Sequence, residues 1–264
     1  MIYREDILKQ LEAFQIATGK PVLVHTSLRA IGEIEGGADT LLSALISYFT
    51  KDGGLLCIPT HTWNRDVMDR SKAETCVGVL SNVAAAHPDG IRSMHPTHSI
   101  VVFGDRNKAL EFIQCEIEAN TPTSPNGCYG NFYKEDGYIL LIGVEHNKNT
   151  FLHCVEEKLQ VPNRLTKNMV ERTIIHEDGR VEKRHLYWFD GSKIPDVSVN
   201  FGKFEPAFRY HECITDGFIG NAKVQLCSAS KMKEVMELIY KRSAGEELLA
   251  DNQPLDKKLY ANEE

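Results

Sequence analysis

The sequence predicts an α/β fold with a mostly parallel central sheet flanked by helices and an inserted antiparallel β subdomain in the C-terminal half. Two observations support this prediction. N-terminal to residue 160, short apolar runs alternate with segments of helical periodicity, as they do where helices cover both faces of a parallel sheet. Residues 169–190 instead alternate apolar and polar side chains around the turn Glu-Asp-Gly-Arg at 177–180, which is typical of an antiparallel hairpin.

The individual elements follow in chain order from the same patterns. Ile7, Leu11 and Phe14 recur at helical spacing and predict a first helix, which the Gly-Lys-Pro break at 19–21 ends. Four uninterrupted apolar runs predict buried strands, and the periodic segments around them predict helices. The strands are expected within 21–28, which runs out into a loop, within 53–63, which ends in polar residues, and at 99–105 and 138–144. The helices are expected at 4–17, 76–88, 106–119 and 228–244, and within 31–50 after two glycines.

Residues 1–264 are expected to form a single domain, because the chain shows no internal repeat or low-complexity linker. Within it, residues 163–216 are the predicted antiparallel insertion, and residues 245–264 form an acidic tail whose composition favours a solvated segment. Six carboxylates against two lysines in this tail account for −4 of the formal net charge of −7. The remaining body is only weakly acidic, which disfavours nucleic-acid binding and allows a polycationic small molecule as a partner only through a local acidic pocket.

The composition is that of a soluble globular protein, with 42% hydrophobic and 25% charged residues among 264. The apolar runs are far shorter than the ~20 residues of a membrane helix, and the N-terminus lacks an apolar signal core, so neither membrane insertion nor secretion is expected. Seven cysteines occur without a C-x-x-C pair, which predicts reduced thiols in the cytoplasm. The sequence leaves the oligomeric state open, with a homodimer as one option.

Polar residues follow three of the predicted strands, at the positions where each strand ends. In doubly wound sheets, ligands bind beyond the carboxyl ends of the strands, because loops and helix N-termini converge there. We therefore expect these residues to border a binding site. They are His25, Thr26 and Ser27 after the first strand, Thr60, His61 and Thr62 after the second, and His146, Asn149, Thr150 and His153 after the fourth.

Two loops have compositions that suit a ligand but also have structural explanations. Gly36 and Gly37 precede a predicted helix, where exposed backbone N–H groups suit a phosphate, although a plain strand-to-helix turn explains the spacing equally well and is the commoner case. The segment matches no standard nucleotide motif. His95 and His98 flank a proline without a carboxylate partner, so a loop shaped by side-chain hydrogen bonds is favoured over a metal site.

The segment NTFLHCVEE at 149–157 is compatible with a metal site, a thiol nucleophile or a histidine base with a carboxylate partner. Adjacent residues point in different directions, so a direct couple between His153 and Cys154 is geometrically poor. On a helix, Glu156 at i+3 and Glu157 at i+4 both share a face with His153. Cys128, in the loop 121–133, has no neighbour that marks it as a nucleophile, and it is expected to be a packed thiol.

Taken together, six segments resemble the aminoglycoside 3-N-acetyltransferase family in their order and approximate spacing. The resemblance runs from about Lys9 to about residue 240 and therefore covers nearly the whole chain. The segments are VHTSLRAIGEIEGG, PTHT, RSMHPTHS, SPNGCYGNFYKEDGYILLIGV, NTFLHCVEE and IGNAKVQL.

The resemblance implies an acetyl-CoA-dependent N-acetyltransferase of an α/β fold distinct from the more common GNAT fold, with no metal. The acceptor it implies is the 3-amino group of an aminoglycoside, a polycationic small molecule; another amino sugar or a small amine is the alternative. The family signature N-T-x-x-H-x-x-E falls on residues 149–156 and makes His153 the catalytic base with Glu156 as its acidic partner. The residues implied for coenzyme A are Ser27, Leu28, Ile31, Gly32, Gly36, Gly37, Arg92, Ser93 and His95.

Some assignments remain open on the residues alone. The oxyanion of the tetrahedral intermediate needs a donor, and Thr150 or a backbone N–H of residues 26–28 is expected to supply it. The family often has a second serine where this chain has Thr26, which keeps the hydroxyl. Two alternatives from other classes are a hydrolase that uses Cys154, Cys128 or a metal, and a non-catalytic coenzyme A binder.

Overall fold

The computed structural model describes residues 1–262, so Glu263 and Glu264 of the acidic tail lie outside the described residues. The strands are β1 Pro21–Thr26, β2 Leu55–Pro59, β3 Val67–Asp69, β4 Ile91–Arg92, β5 Ile100–Phe103, β6 Tyr138–Ile142, β7 Val170–Ile175, β8 Val181–Leu186, β9 Ile214–Ile219 and β10 Ala222–Ser228. The α-helices are α1 Arg4–Glu12, α2 Leu28–Ile31, α3 Gly37–Phe49, α4 Val79–Ala86, α5 Arg106–Gln114, α6 Cys128–Lys134, α7 Phe151–Leu159, α8 Glu205–Tyr210 and α9 Ala229–Arg242.

The central sheet has seven strands in the order β4-β5-β2-β1-β6-β10-β9. β2, β1 and β6 join through parallel pairs, and β5, β4, β10 and β9 join through antiparallel pairs. The prediction of a mostly parallel sheet is therefore wrong, and the sheet is mixed. The apolar runs misled because helices cover both faces, and a strand buried on both faces is apolar whichever direction it runs.

Helices pack on both faces of this sheet and confirm the predicted α/β class. Successive strand residues point to opposite faces, so Leu23 belongs to one apolar core while Val22 and Val24 belong to the other. The first core also contains side chains of α5, α6, α7 and α9, and the second contains side chains of α1, α3 and α4. The two cores hold the ends of the parallel strands in a fixed arrangement.

The predicted hairpin is present, but it fills only part of the predicted insertion. β7 and β8 pair antiparallel around the turn at 177–179, and β3 adds to β7 in parallel to make a separate three-stranded sheet. Residues 197–210 are helical instead, and Phe201, Phe204 and Phe208 pack into the main core. β9 begins at Ile214, inside the predicted insertion, and belongs to the central sheet.

The acidic tail packs against the body in its described part, which corrects the expectation of a solvated segment. Leu249 is 2% exposed, and its carbonyl accepts a hydrogen bond of 2.7 Å from Asn200 Nδ2. Further along, the carbonyls of Tyr260 and Ala261 accept bonds of 2.7 Å from His211 and Arg242. Composition misled here because a buried leucine, backbone carbonyls and the paired carboxylate of Glu247 make contacts that a count of charges does not reveal.

No helix within residues 1–262 has the length and apolar character needed to cross a membrane.

Candidate active site

A cavity of about 920 Å³ opens where the parallel strands β1, β2 and β6 end. Its wall includes residues from the loops after all three strands, as the strand-end pattern in the sequence predicts. Four histidines line it: His25 near the end of β1, His61 after β2, His98 before β5, and His153 on α7. Trp63, Trp188 and Phe189 add aromatic surface.

Helix α7 carries His153 and Glu156. Phe151, Leu152 and Val155 form its buried face and fix it against α9 and the sheet. Thr150 precedes the first turn, and Gln160 ends the helix in a left-handed conformation. Because the apolar face is anchored in the core, the opposite face presents His153 to the cavity.

His153 Nδ1 lies 3.1 Å from Glu156 Oε2, one helical turn away. The Glu156 side chain is 1% exposed, and that of His153 is 13% exposed. Glu157 makes different contacts: its Oε1 accepts from the backbone N–H of Thr123 at 2.9 Å and from the Thr123 hydroxyl at 2.7 Å. The structure therefore places Glu156, and not Glu157, beside the imidazole.

Aromatic rings hold the His153 imidazole on both sides. The Phe189 ring centroid is 4.4 Å from that of His153 with the planes 32° apart, and the Phe201 centroid is 4.7 Å away. A carboxylate can only accept, so the contact with Glu156 assigns the proton to Nδ1 of the neutral ring. Nε2 is then a lone-pair acceptor, which is what a general base requires.

His61 and His98 also face the cavity, although the sequence assigned no role to either. His61 Nε2 is 2.8 Å from the Tyr129 hydroxyl, which donates to the His98 carbonyl at 3.3 Å, and the two imidazole rings are 4.8 Å apart. Burial lowers the pKa of both histidines well below the ordinary value, and it lowers the pKa of His25 to about 3. Near neutral pH these three rings are uncharged. The sequence signal that could have identified His61 and His98 as cavity residues was their position beside the ends of predicted strands.

The histidine loop, residues 92–99, uses most of its polar groups to hold its own shape. Arg92 donates to the Thr60 carbonyl at 2.7 Å, and Ser93 Oγ accepts from the Ile100 N–H at 3.1 Å. His95 Nε2 is 3.0 Å from the Thr121 carbonyl, and its Nδ1 accepts from two backbone N–H groups of the loop. Arg92, Ser93 and His95 are not among the described residues that line the cavity.

The first loop contributes a single predicted coenzyme A residue to the cavity wall, Leu28. Ser27 precedes α2, and Ile31 is fully buried in the core. Gly36 and Gly37 have φ angles of +71° and +63° where α3 begins, a left-handed conformation that glycine adopts without strain. A Cβ at Gly32 would come within 2.9 Å of the Asn221 side chain, so close packing explains this glycine.

The two cysteines considered as nucleophiles are both fully buried in the core. Burial raises the pKa of the Cys128 and Cys154 thiols well above the ordinary value, and neither residue is among the described residues that line the cavity. A buried thiol with a raised pKa is a poor nucleophile. Within residues 1–262, no group of three or more potential metal ligands is placed to hold an ion.

Comparison with known proteins decides the family. The family model described as aminoglycoside 3-N-acetyltransferase matches residues 23–241, which is most of the chain. The chain belongs to the aminoglycoside 3-N-acetyltransferase family. It is therefore an acyltransferase, as the resemblance of the six segments implied.

Individual relatives support this membership over most of their length. Aminoglycoside N(3)-acetyltransferase III of Serratia marcescens is 28% identical over 219 residues, which cover 75% of this chain and 80% of the relative. Aminoglycoside acetyltransferase AAC(3)-IVa, in a histidine-to-alanine variant bound to a gentamicin, has the same fold, with a TM-score of 0.75, 23% identity and coverage of 96% and 98%. The binary complex of AAC-IIIb with CoASH matches with a TM-score of 0.74, 21% identity and coverage of 91% and 97%.

Proposed function

We propose that the protein transfers the acetyl group of acetyl-CoA to an amine, with His153 as the general base and Glu156 as the residue that orients it. The observation that supports this most strongly is the His153–Glu156 contact at the wall of the cavity. Family membership supplies the reaction class, and the contact supplies a base with its proton-bearing nitrogen fixed.

The chemistry requires a base because an aliphatic amine is mostly protonated near pH 7 and its nitrogen has no free lone pair. The ammonium group first loses one proton to solvent. His153 Nε2 then accepts a second proton from the neutral amine as the nitrogen lone pair forms a bond to the thioester carbonyl carbon. The resulting tetrahedral intermediate collapses as the carbon–sulfur bond breaks. The imidazolium returns its proton to the departing thiolate, so that the products are the amide and coenzyme A.

Two residues support the charges that develop during this sequence. The Glu156 carboxylate lies against Nδ1–H and stabilises the imidazolium after proton transfer. For the oxyanion, the backbone N–H of Ser27 is engaged with the Ile142 carbonyl at 2.9 Å. The Thr150 hydroxyl, on the cavity wall, is our candidate donor, and the N–H of Leu28 at the start of α2 is the second candidate.

The cavity has features that fit acetyl-CoA as co-substrate. Thr26 Oγ1, His25 Nε2 and Asn149 Oδ1 are buried polar atoms on its wall without a hydrogen-bond partner within the described residues. Buried polar groups need partners, and the amides of a pantetheine arm can supply them. We propose that Leu28 contacts this arm. Ser27, Ile31, Gly32, Gly36 and Gly37 then shape the supporting loop, and Arg92, Ser93 and His95 support the opposite wall.

For the acceptor, the first candidate is the 3-amino group of an aminoglycoside, supported by the names of the relatives and by the gentamicin complex of AAC(3)-IVa. The charges on the cavity wall favour a second candidate. The carboxylates there are Asp190 and Asp196, and the cations are Lys148 and Arg164, of which Arg164 is 4% exposed and paired with Glu247. This balance suits an amino sugar or small amine with one or two positive charges, because a polycation needs an excess of carboxylates.

A thiol-release assay with acetyl-CoA tests the proposal and ranks the acceptors. The panel contains a kanamycin-type aminoglycoside, a gentamicin-type aminoglycoside, a simple amino sugar and a diamine. We expect amine-dependent release of coenzyme A that survives a chelator and Cys154→Ala. Binding of coenzyme A without release on any amine would indicate a non-catalytic binder, and a higher kcat/KM for the least charged amines would select the second acceptor class.

A further inference from the structure

Arg164 lies beside the proposed catalytic pair, next to the Glu156 oxygen that His153 does not contact. Its side chain is 4% exposed, and its Nε is 3.9 Å from Glu156 Oε1. Its Nη2 donates to Glu247 Oε2 at 2.8 Å, and its Nε donates to the Pro162 carbonyl at 3.3 Å. A single guanidinium thus links the helix of the catalytic pair to the C-terminal tail.

Glu156 needs such a cation. Its carboxylate is 1% exposed, Oε2 is used by His153, and Oε1 has no hydrogen-bond partner within the described residues. A buried carboxylate without a compensating charge is costly and takes up a proton more readily. A protonated Glu156 would donate to the imidazole instead of accepting from it, which would place the remaining proton on Nε2 and remove the base.

The backbone of Arg164 supports the other side of the imidazole. Its carbonyl accepts from the Asp190 N–H at 2.9 Å, and the adjacent Leu165 bridges to Phe189. Phe189 is the ring that lies 4.4 Å from His153. Arg164 therefore helps to fix both the carboxylate behind the imidazole and the aromatic ring beside it.

Glu247 anchors the guanidinium from the tail. The segment that carries it is held by Asn200, which donates to the Leu249 carbonyl at 2.7 Å, and by Lys203, which donates to the Leu248 carbonyl. The Glu247 side chain is 19% exposed, so its bond to Arg164 is partly shielded from water. The tail thereby contacts the catalytic pair through one intermediate residue.

We propose that Arg164 is a positioning residue that keeps Glu156 ionised against His153, and that Glu247 of the C-terminal tail holds Arg164 in place. The tail is then a required part of the acetyl-transfer site. This inference rests on the proposed role of His153.

Substitution of Arg164 tests the first half. Arg164→Met should lower kcat about 10- to 100-fold, with little change in the KM for acetyl-CoA, because it removes a coupled neighbour of the catalytic pair and leaves the residue proposed to contact acetyl-CoA in place. Arg164→Lys should recover part of this loss, since it keeps the charge. Arg209→Met is the matched control, because Arg209 also bridges two carboxylates, at 2.8 Å to Glu205 and 2.6 Å to Asp216.

The pH profile separates positioning from a general loss of structure. Besides Glu156 and Arg164, the titratable groups around His153 are His61, His98 and Glu157. Removing a neighbouring positive charge favours the protonated forms of nearby groups, and protonation of either member of the pair inactivates it. The acidic limb of kcat should therefore move to higher pH in Arg164→Met and stay in place in Arg209→Met.

Substitution of Glu247 tests the second half. Glu247→Ala should lower kcat about 3- to 10-fold relative to Glu246→Ala, its exposed neighbour, and the double variant with Arg164→Met should be no slower than Arg164→Met alone. Additive losses, or equal rates for Glu247→Ala and Glu246→Ala, would overturn the role of the tail.

His153→Ala in the same assay keeps the two proposals apart. If it is inactive while Arg164→Met matches Arg209→Met, the positioning role fails and the base assignment stands. If His153→Ala turns over normally, the proposed function itself fails.

Discussion

Helix α7 and the histidine loop each hold a histidine, His153 and His95, but only His153 of these two lines the cavity, and the two side chains have opposite uses. In the loop, both ring nitrogens of His95 are engaged with backbone groups, which fixes the shape of the loop. On α7, one nitrogen of His153 is held by a carboxylate and the other is left for the cavity. A histidine whose two ring nitrogens are both hydrogen-bonded to the backbone has a structural role. A histidine with one nitrogen hydrogen-bonded and the other accessible can transfer a proton.

Among substitutions of these two histidine environments, we expect the largest effect on stability from a change in the histidine loop. His95→Ala leaves the Thr121 carbonyl and two buried N–H groups without partners and should lower the free energy of unfolding by about 3 to 5 kcal/mol. Urea unfolding measures this loss. The kcat of the fraction that remains folded should stay close to that of the wild type; a selective loss of kcat at unchanged stability would place His95 in the chemistry.

On α7, the corresponding change should act on catalysis. Glu156→Gln places a neutral amide beside Nδ1, removes the charge that stabilises the imidazolium, and should lower kcat about 10- to 100-fold. Glu157→Gln is the matched control, because a glutamine oxygen can still accept both bonds from Thr123. Steady-state kinetics on both variants tests which carboxylate supports His153. A larger loss of kcat in Glu157→Gln than in Glu156→Gln would reverse our choice between the two carboxylates.

Because His95 is buried, we also expect the free energy of unfolding to depend on pH, an effect smaller than those of the substitutions above. Desolvation lowers the pKa of His95 to about 3, whereas the pKa of a histidine in the unfolded chain is about 6.5. As the pH falls below about 6.5, the unfolded state therefore binds a proton that the folded state does not bind, and the folded state becomes less stable. Each such histidine costs about 1 kcal/mol of stability between pH 6 and pH 5. Between pH 6 and pH 5, the free energy of unfolding of His95→Gln should fall by about 1 kcal/mol less than that of the wild type. An equal fall in the two proteins would show that His95 is protonated in the folded protein.

Local patterns predicted the elements whose identity depends on their own residues. The apolar run at 138–144 became β6 at Tyr138–Ile142. Helix α7 was not among the predicted helices, and a helical turn there was considered only as the condition that brings His153 and Glu156 to one face. The direction of β5 could not be read in this way, since burial on both faces leaves no directional signal. The β9–β10 hairpin was missed although the Gly-Asn pair at 220–221 is a turn signal.

The site was predicted where one segment contains it and missed where distant segments meet. His153 and Glu156 are three residues apart, so spacing made their contact possible, and the family resemblance selected Glu156 over Glu157. His61 meets His98 across 37 positions, and Arg164 meets Glu247 across 83. No periodicity connects such residues. The docking of the acidic tail depends on backbone carbonyls, which composition does not record.

The most direct test of the proposed mechanism is the turnover of His153→Ala. The substitution removes the base at the cavity wall, and it should lower kcat for acetyl transfer roughly 10²- to 10⁴-fold, the usual contribution of a general base. Far-UV circular dichroism and coenzyme A binding, measured on the same preparation, should match the wild type. Turnover near the wild-type rate in a folded, coenzyme A-binding variant would contradict the assignment of His153 as the base.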